Sequence, residues 1–213
     1  MKLFGYWRSS AAYRVRIALN LKQLSCEHES VHLVKNGGEQ HSAEYQSLNP
    51  NELVPTLVDD DFSLTQSMAI LEYLEQKYPQ LPLLPESLEA QMTCRAIALD
   101  IACDIHPLNN LRVLQYLTSE LQHSDQEKND WIIHWLQVGF TNLEKTLNKT
   151  AGVFCFGDKV SWADICLVPQ VYNAERFKLD MSPYPKIANI VKHCRSLPEF
   201  IKAAPENQHD AVI

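Results

Sequence analysis

Between residues 2 and 19 the chain passes from a short apolar run, Lys2-Leu3-Phe4-Gly5-Tyr6-Trp7, through Arg8 and two serines into Ala11-Ala12-Tyr13-Arg14-Val15-Arg16-Ile17-Ala18-Leu19. A strand that feeds hydroxyls onto a helix start leaves few folds open. Serine suits that position because its oxygen accepts a hydrogen bond from an otherwise unpaired backbone N–H. The same helix end carries partial positive charge and favours an anion. Ser9 and Ser10 therefore either cap the helix and do nothing more, or help to hold a thiolate, a phosphate or a carboxylate.

The 213 residues allow one large domain or two small ones. A formal charge of −7 argues against a general nucleic-acid surface. It leaves room for a small anionic substrate, since a few arginines can make one pocket positive. No apolar run approaches the ~20 residues that span a bilayer. Arg8 and the serines interrupt any signal-peptide pattern. These features predict a cytoplasmic protein with no membrane partner. The six cysteines (Cys26, Cys94, Cys103, Cys155, Cys166 and Cys194) form no C-x-x-C and read as reduced thiols. Cys103 and His106 are spaced to share a metal on a helix, but without a second ligand pair no metal site is expected.

The first 80 or so residues alternate strand and helix. Lys2 to Trp7, Glu27 to Leu33, Thr56 to Val58 and Phe62 to Thr65 are the expected strands, the last two joined by the Asp59-Asp60-Asp61 turn. Ser10 to Leu21 reads as a helix with Val15, Ala18 and Leu19 on its inner face and Arg14 and Arg16 elsewhere. Ser67 to Lys77 is a second helix, with Ile70, Leu71 and Leu74 inward. Pro79, Pro82 and Pro85 mark residues 78–85 as a linker. Beyond it helices are expected over about 88–121 (broken or kinked near Pro107), 126–149, 162–179 and 184–195, with a short piece after Pro198. The tail from about Pro205 is polar and expected to fray. The order βαβ–ββα followed by helices implies an α/β domain over 1–80 and an all-α domain over 87–213. Ser161-Trp162-Ala163-Asp164 has capping-box spacing, with Asp in the place of Glu or Gln. Removing Asp164 as a cap would cost roughly 0.5–2 kcal/mol.

Two further stretches carry chemistry. A proline at a strand entry, as in Val54-Pro55-Thr56-Leu57, suits an edge or a cis bond. A cis bond would turn the Val54 backbone groups outward, where an extended peptide could pair with them. Gln66-Ser67 lies at a strand end and a helix start, a second place for a carboxylate.

The S-S-x-x-x-R-V-R-I-A-L stretch, Val54-Pro55-Thr56-Leu57, Gln66-Ser67-x-Ala69-Ile70 and Asn173-Ala174-Glu175-Arg176-Phe177 together resemble the zeta class of glutathione transferases. Gly152 to Asp158 and Ala163 to Gln170 extend the similarity over essentially the whole chain. The resemblance implies a thioredoxin-like first domain, a helical second domain that completes the substrate pocket, a homodimer, and glutathione as cofactor. It implies that Ser9 or Ser10 donates a hydrogen bond to the glutathione sulfur, and that Val54 pairs with the cysteinyl backbone. Gln66 and Ser67 would hold the γ-glutamyl carboxylate, with Gln40 and Asn49 adding contacts. His106 and Asn110 would line the pocket, and Arg8 and Arg176 would hold the two carboxylates of a dicarboxylate substrate.

The activity it implies is glutathione-dependent cis–trans isomerisation of maleylacetoacetate in tyrosine and phenylalanine breakdown. Maleylpyruvate isomerisation and conjugation of electrophiles such as α-haloacids are the alternatives. In such a reaction a thiolate adds to the cis double bond, the resulting single bond rotates, and elimination returns glutathione with the trans product. Many zeta proteins carry a cysteine directly after the serine pair, and here that residue is Ala11, so a cysteine-based mixed disulfide at this place is disfavoured. Tyr6, near the end of the first strand, is the rival activator, as in other classes. Arg8 and Arg176 could instead be surface ion-pair residues, and His106 a packing residue.

Overall fold

The computed structural model describes residues 1–212. They form two compact units, residues 1–83 together with the segment from Ser196 onward, and Leu84–Arg195.

The first unit is built on a four-stranded sheet in the order β2-β1-β3-β4. Strand β1 (Lys2–Gly5) pairs in parallel with β2 (Glu27–Ser30) and antiparallel with β3 (Thr56–Asp59), which pairs antiparallel with β4 (Phe62–Thr65). The parallel pair needs a crossover, and helix α1 (Ser10–Leu21) supplies it. A short helix α2 (Ala43–Leu48), absent from the sequence reading, precedes β3, and α3 (Ser67–Lys77) follows β4.

The periodicity sets Arg14 and Arg16 apart from the inner face of α1, yet neither is exposed. Both are buried, because the helix is covered by α3 and also by α9 (Pro198–Ala203). Arg16 spends its guanidinium on backbone carbonyls, giving Nε to Ala203 (3.0 Å) and Nη2 to Trp7 (2.9 Å). Asn20 Nδ2 donates to the carbonyl of Glu199 at 2.9 Å. These bonds explain why the segment from Ser196 joins the first unit, whereas the sequence reading assigns all of 87–213 to the helical domain. The tail does not fray from Pro205. Asp210 Oδ2 accepts from the Trp7 N–H (3.1 Å) and from Ser30 Oγ (2.8 Å), and Gln208 Nε2 donates to the carbonyls of Lys202 and Ala204.

Lys22 fixes the proline-rich linker. Its ammonium lies 2.9 Å from the Glu75 carboxylate and donates to the carbonyl of Tyr78 at 2.8 Å, while Glu75 Oε1 accepts from the Leu83 N–H at 2.9 Å. A buried lysine is tolerable only with such partners.

The second unit is helical. The long helix expected over 88–121 is divided into α4 (Leu88–Leu99), a π-helical segment (Asp100–Ile105), a 3-10 turn (His106–Asn109) holding Pro107, and α5 (Leu111–Ser119). Pro107 lacks the N–H that would continue the ladder. Helix α6 (Asp125–Thr150) buries Ile132, Leu136, Phe140, Leu143 and Leu147, spaced along one face. Gly139 on α6 is required by close packing, since a Cβ there would lie 2.5 Å from the Ile105 side chain. Helix α7 (Trp162–Arg176) is buried from Trp162 to Val171, and α8 (Pro185–Cys194) packs on it. The capping box expected at Ser161 and Asp164 is present at the start of α7.

Candidate active site

Helix α1 begins where the sequence places it. Ser9 is the N-cap, and its Oγ accepts from the Ala12 N–H at 3.2 Å. A hydroxyl has a donor in addition to its acceptor lone pairs. Among the described residues the Ser9 O–H meets no acceptor, so capping does not exhaust this side chain. Ser10 is buried in the first turn.

Gln66 stands at the N-cap of α3 with φ 70°, is exposed, and gives the helix no side-chain cap. Neither α1 nor α3 has an acidic residue in its first turn, a feature they share with α5 and α8. The positive ends of α1 and α3 are therefore not offset by a first-turn carboxylate of their own and can take an anion.

The two helix starts are linked by a residue the sequence reading leaves aside. Arg14, 2 % exposed, sends Nη1 from α1 to Ser67 Oγ on α3 at 3.2 Å. A guanidinium carried into the interior beside a serine at a helix N-terminus adds positive charge where a carboxylate is expected. The only sequence signal for it is the R-V-R pair inside a helix otherwise made of core residues.

The Val54–Pro55 bond is cis, one of the two alternatives the sequence leaves open, and β3 is not an edge strand. No hydrogen bond among the described residues engages either backbone group of Val54, whereas the neighbouring Leu53 carbonyl accepts from Tyr45 OH (2.7 Å) and Asn49 Nδ2 (2.6 Å). Asn49 Oδ1 also accepts from the Asn51 N–H at 3.0 Å. Asn49 is therefore spent on shaping this loop rather than offered to a ligand. Gln40 is 5 % exposed, and its Oε1 is buried with no hydrogen-bond partner. Buried polar atoms are rarely left so.

Arg8 stacks its guanidinium carbon 5.2 Å from the Trp7 ring centroid and 6.0 Å from that of Tyr6. It forms no ion pair among the described residues, so the surface ion-pair alternative does not describe it. Tyr6 is buried edge-on against His32 (4.9 Å between centroids) and Trp7 (5.8 Å), a packing role. In the helical unit, Arg176 is exposed at the end of α7 with its guanidinium 5.4 Å from the Phe177 centroid. His106 is half-buried at the head of the 3-10 turn. Asn110 is the N-cap of α5, where its Oδ1 accepts from the Arg112 N–H at 3.2 Å.

Comparison with known proteins agrees with this architecture. Residues 3–82 match the family model of the glutathione S-transferase N-terminal domain, and residues 109–203 that of the C-terminal domain. A probable maleylacetoacetate isomerase of Vibrio cholerae is 58% identical over 98% of this chain and 97% of its own length. A holo structure of a maleyl pyruvate isomerase, described as a bacterial zeta-class glutathione S-transferase, is 41% identical and superposes over the full length of both chains with a TM-score of 0.96. A maleylacetoacetate isomerase of Methylobacterium extorquens AM1, solved with bound malonate and glutathione, is 38% identical with the same TM-score and coverage. The chain, with its thioredoxin-like sheet and helical second domain, belongs to the zeta class of the glutathione S-transferase family.

Proposed function

We propose that this protein is a glutathione-dependent cis–trans isomerase whose substrate is maleylacetoacetate, acting in tyrosine and phenylalanine breakdown. The observation that carries the reading is the pair of helix N-termini without acidic residues in their first turns, bridged by Arg14, together with a Ser9 O–H and Val54 backbone groups that meet no hydrogen-bond partner among the described residues. Those features fit a small peptide with a thiol and an acidic end. Ser9 or Ser10 holds the sulfur, Val54 pairs with the peptide backbone, and Gln66 and Ser67 hold the γ-glutamyl carboxylate. Gln40, His106 and Asn110 complete the binding set.

When bound, glutathione supplies the sulfur nucleophile that renders a conjugated carbon–carbon double bond transiently single. The chain's own part is electrostatic. A free thiol has a pKa near about 8.5, so little of it is ionised at neutral pH. A serine O–H donor and the α1 N-terminus both favour the anion. Arg8, half-buried and without an ion pair among the described residues, and Arg176 at the end of α7 bind the substrate's two carboxylates. An arginine also offsets the negative charge that develops as the double bond opens.

We place the enzyme in the cytoplasm, supported by its six free cysteines. No helix among the described residues is long and apolar enough to cross a membrane. A homodimer is supported by the exposed apolar residues Leu88, Met92 and Leu99 on α4. Maleylpyruvate is the second candidate substrate, favoured by the full-length likeness to the maleyl pyruvate isomerase structure. The test is kcat/KM for the two substrates at fixed glutathione. A higher value for maleylacetoacetate supports the assignment, a higher value for maleylpyruvate moves the enzyme to aromatic-acid breakdown, and no turnover of either refutes the isomerase reading.

A further inference from the structure

Helix α1 is entered through a tight turn. The Ser9 N–H donates to the Tyr6 carbonyl at 2.9 Å, which makes Trp7 and Arg8 the two corner residues of a β-turn. The turn lies just past β1, which ends at Gly5, where the carbonyl accepts from the Val31 N–H at 2.7 Å. Side chains hold the turn itself. Arg16 Nη2 donates to the Trp7 carbonyl at 2.9 Å, and Arg16 Nη1 lies 3.5 Å from the Tyr6 carbonyl. The Trp7 N–H donates to Asp210 Oδ2 at 3.1 Å. Both peptide groups of the first corner residue are therefore fixed, one by a guanidinium and the other by a carboxylate 203 residues further along the chain.

The carboxylate is itself held. Ser30 Oγ, at the end of β2, donates to the same oxygen at 2.8 Å. Behind it, Asn207 Nδ2 donates to the Ile201 carbonyl at 2.7 Å, Gln208 Nε2 to the carbonyls of Lys202 and Ala204, and the Ala211 N–H to the Gln208 carbonyl at 3.1 Å. Residues 205–211 are thus a folded strap tied to α9. Arg16 depends on the same segment, because its Nε donates to the Ala203 carbonyl at 3.0 Å. A carboxylate that accepts from a backbone N–H makes a charge-assisted hydrogen bond, stronger than a neutral one.

We propose that Asp210 is a positioning residue that, by holding the Trp7 N–H, fixes the turn from which the Ser9 hydroxyl is directed at the glutathione sulfur. The inference rests on the reading of the α1 N-terminus as the place that holds the thiolate. Asp210 touches no ligand in this scheme and acts only through the turn. Ser9 is bonded to the turn through its N–H and to α1 through its Oγ, so a displaced Trp7 peptide changes the direction of the hydroxyl while the helix keeps its cap. The sign of the effect separates this role from a charge effect. Negative charge near a thiolate disfavours it, so removing a carboxylate that acted through space would lower the thiol pKa. Loss of a positioning residue raises it.

The experiment compares full-length Asp210→Ala, Asp210→Asn, Ser9→Ala and the Asp210→Ala/Ser9→Ala double variant. Thiolate absorbance of bound glutathione is titrated against pH, and steady-state kinetics are measured on maleylacetoacetate. Asp210→Ala is expected to raise the bound-thiol pKa by roughly 0.4–1 unit, the worth of one hydrogen bond. Its kcat is expected to fall roughly two- to tenfold, with KM for glutathione little changed because Val54, Gln66 and Ser67 hold the rest of the tripeptide. Asp210→Asn also removes the charge but keeps an oxygen that accepts from the Trp7 N–H, and is expected to behave like wild type. In the Ser9→Ala background, Asp210→Ala is expected to move the pKa no further. A bound-thiol pKa that stays or falls in Asp210→Ala, an Asp210→Asn variant as impaired as Asp210→Ala, or shifts that add in the double variant would each overturn the role of Asp210 while leaving the glutathione site standing. No shift in Ser9→Ala, or failure of the unaltered protein to bind glutathione, would instead remove the reading it rests on, and this inference with it.

Discussion

Asp164→Ala should destabilise the protein far more than the loss of a surface cap. Asp164 is fully buried, and its two oxygens accept from the Cys155 N–H (2.8 Å), the Ser161 N–H (2.9 Å) and Ser161 Oγ (2.9 Å). Alanine strands two buried backbone donors, each costing about 1–3 kcal/mol, for roughly 2–6 kcal/mol in all. Part of this is returned, because burial itself opposes the charged carboxylate and holds its pKa above the ordinary value. A net loss of about 3 kcal/mol is expected, above the roughly 0.5–2 kcal/mol of an ordinary cap.

The deficit should also depend on pH. With the folded pKa raised, the folded state keeps the Asp164 proton to higher pH than the unfolded chain. The group's contribution is then largest below the unfolded value, about 3.9, and declines as pH rises through the folded value. The gap between wild type and variant is therefore widest in acid and narrows toward neutrality. Guanidinium denaturation followed by tryptophan fluorescence, with Trp162 one residue from the cap, measures it. An unchanged midpoint at pH 7, or a gap that widens with pH, would refute the reasoning.

Lys22→Met leaves Glu75 buried without its cation, and should cost roughly 3 kcal/mol in thermal denaturation; a loss under about 1 kcal/mol, the scale of a surface pair, would show that the linker is not held this way. Asp210→Ala removes the bonds to Trp7 and Ser30, and should speed tryptic cleavage after Lys202; an unchanged digestion rate would mean that the tail is secured elsewhere. Ser9→Ala or Ser10→Ala should raise the thiol pKa of bound glutathione, each unit representing about 1.4 kcal/mol of lost thiolate preference. Thiolate absorbance titrated against pH checks it, and no shift in either variant would take the hydroxyls out of the mechanism.

Features set by local chemistry were legible in the sequence. Helices α1 and α3 begin and end where the serines and the flanking residues predict, and the turn between β3 and β4 lies at its aspartates. The cap at Asp164 was also readable from a few adjacent residues, and the cis bond at Pro55 was one of two alternatives they left open. What escaped depends on distant parts of the chain. Nothing near Arg16 announces that the Ala203 carbonyl, 187 residues later, will receive its Nε, so its burial and the return of the C-terminal segment to the first unit could not be foreseen. Helix α2 is six residues long and shows one buried side chain, too little for a periodic signal. The orientation of Gln40 likewise depends on His41, Glu52 and Leu33, which only the folded loop assembles.

The central claim is that glutathione is used and returned. The direct measurement follows trans product and free thiol together while the protein turns over maleylacetoacetate at limiting glutathione. Many equivalents of trans product per glutathione, with total thiol constant, is the predicted result. Thiol lost one for one with substrate, or equal turnover without glutathione, would contradict it.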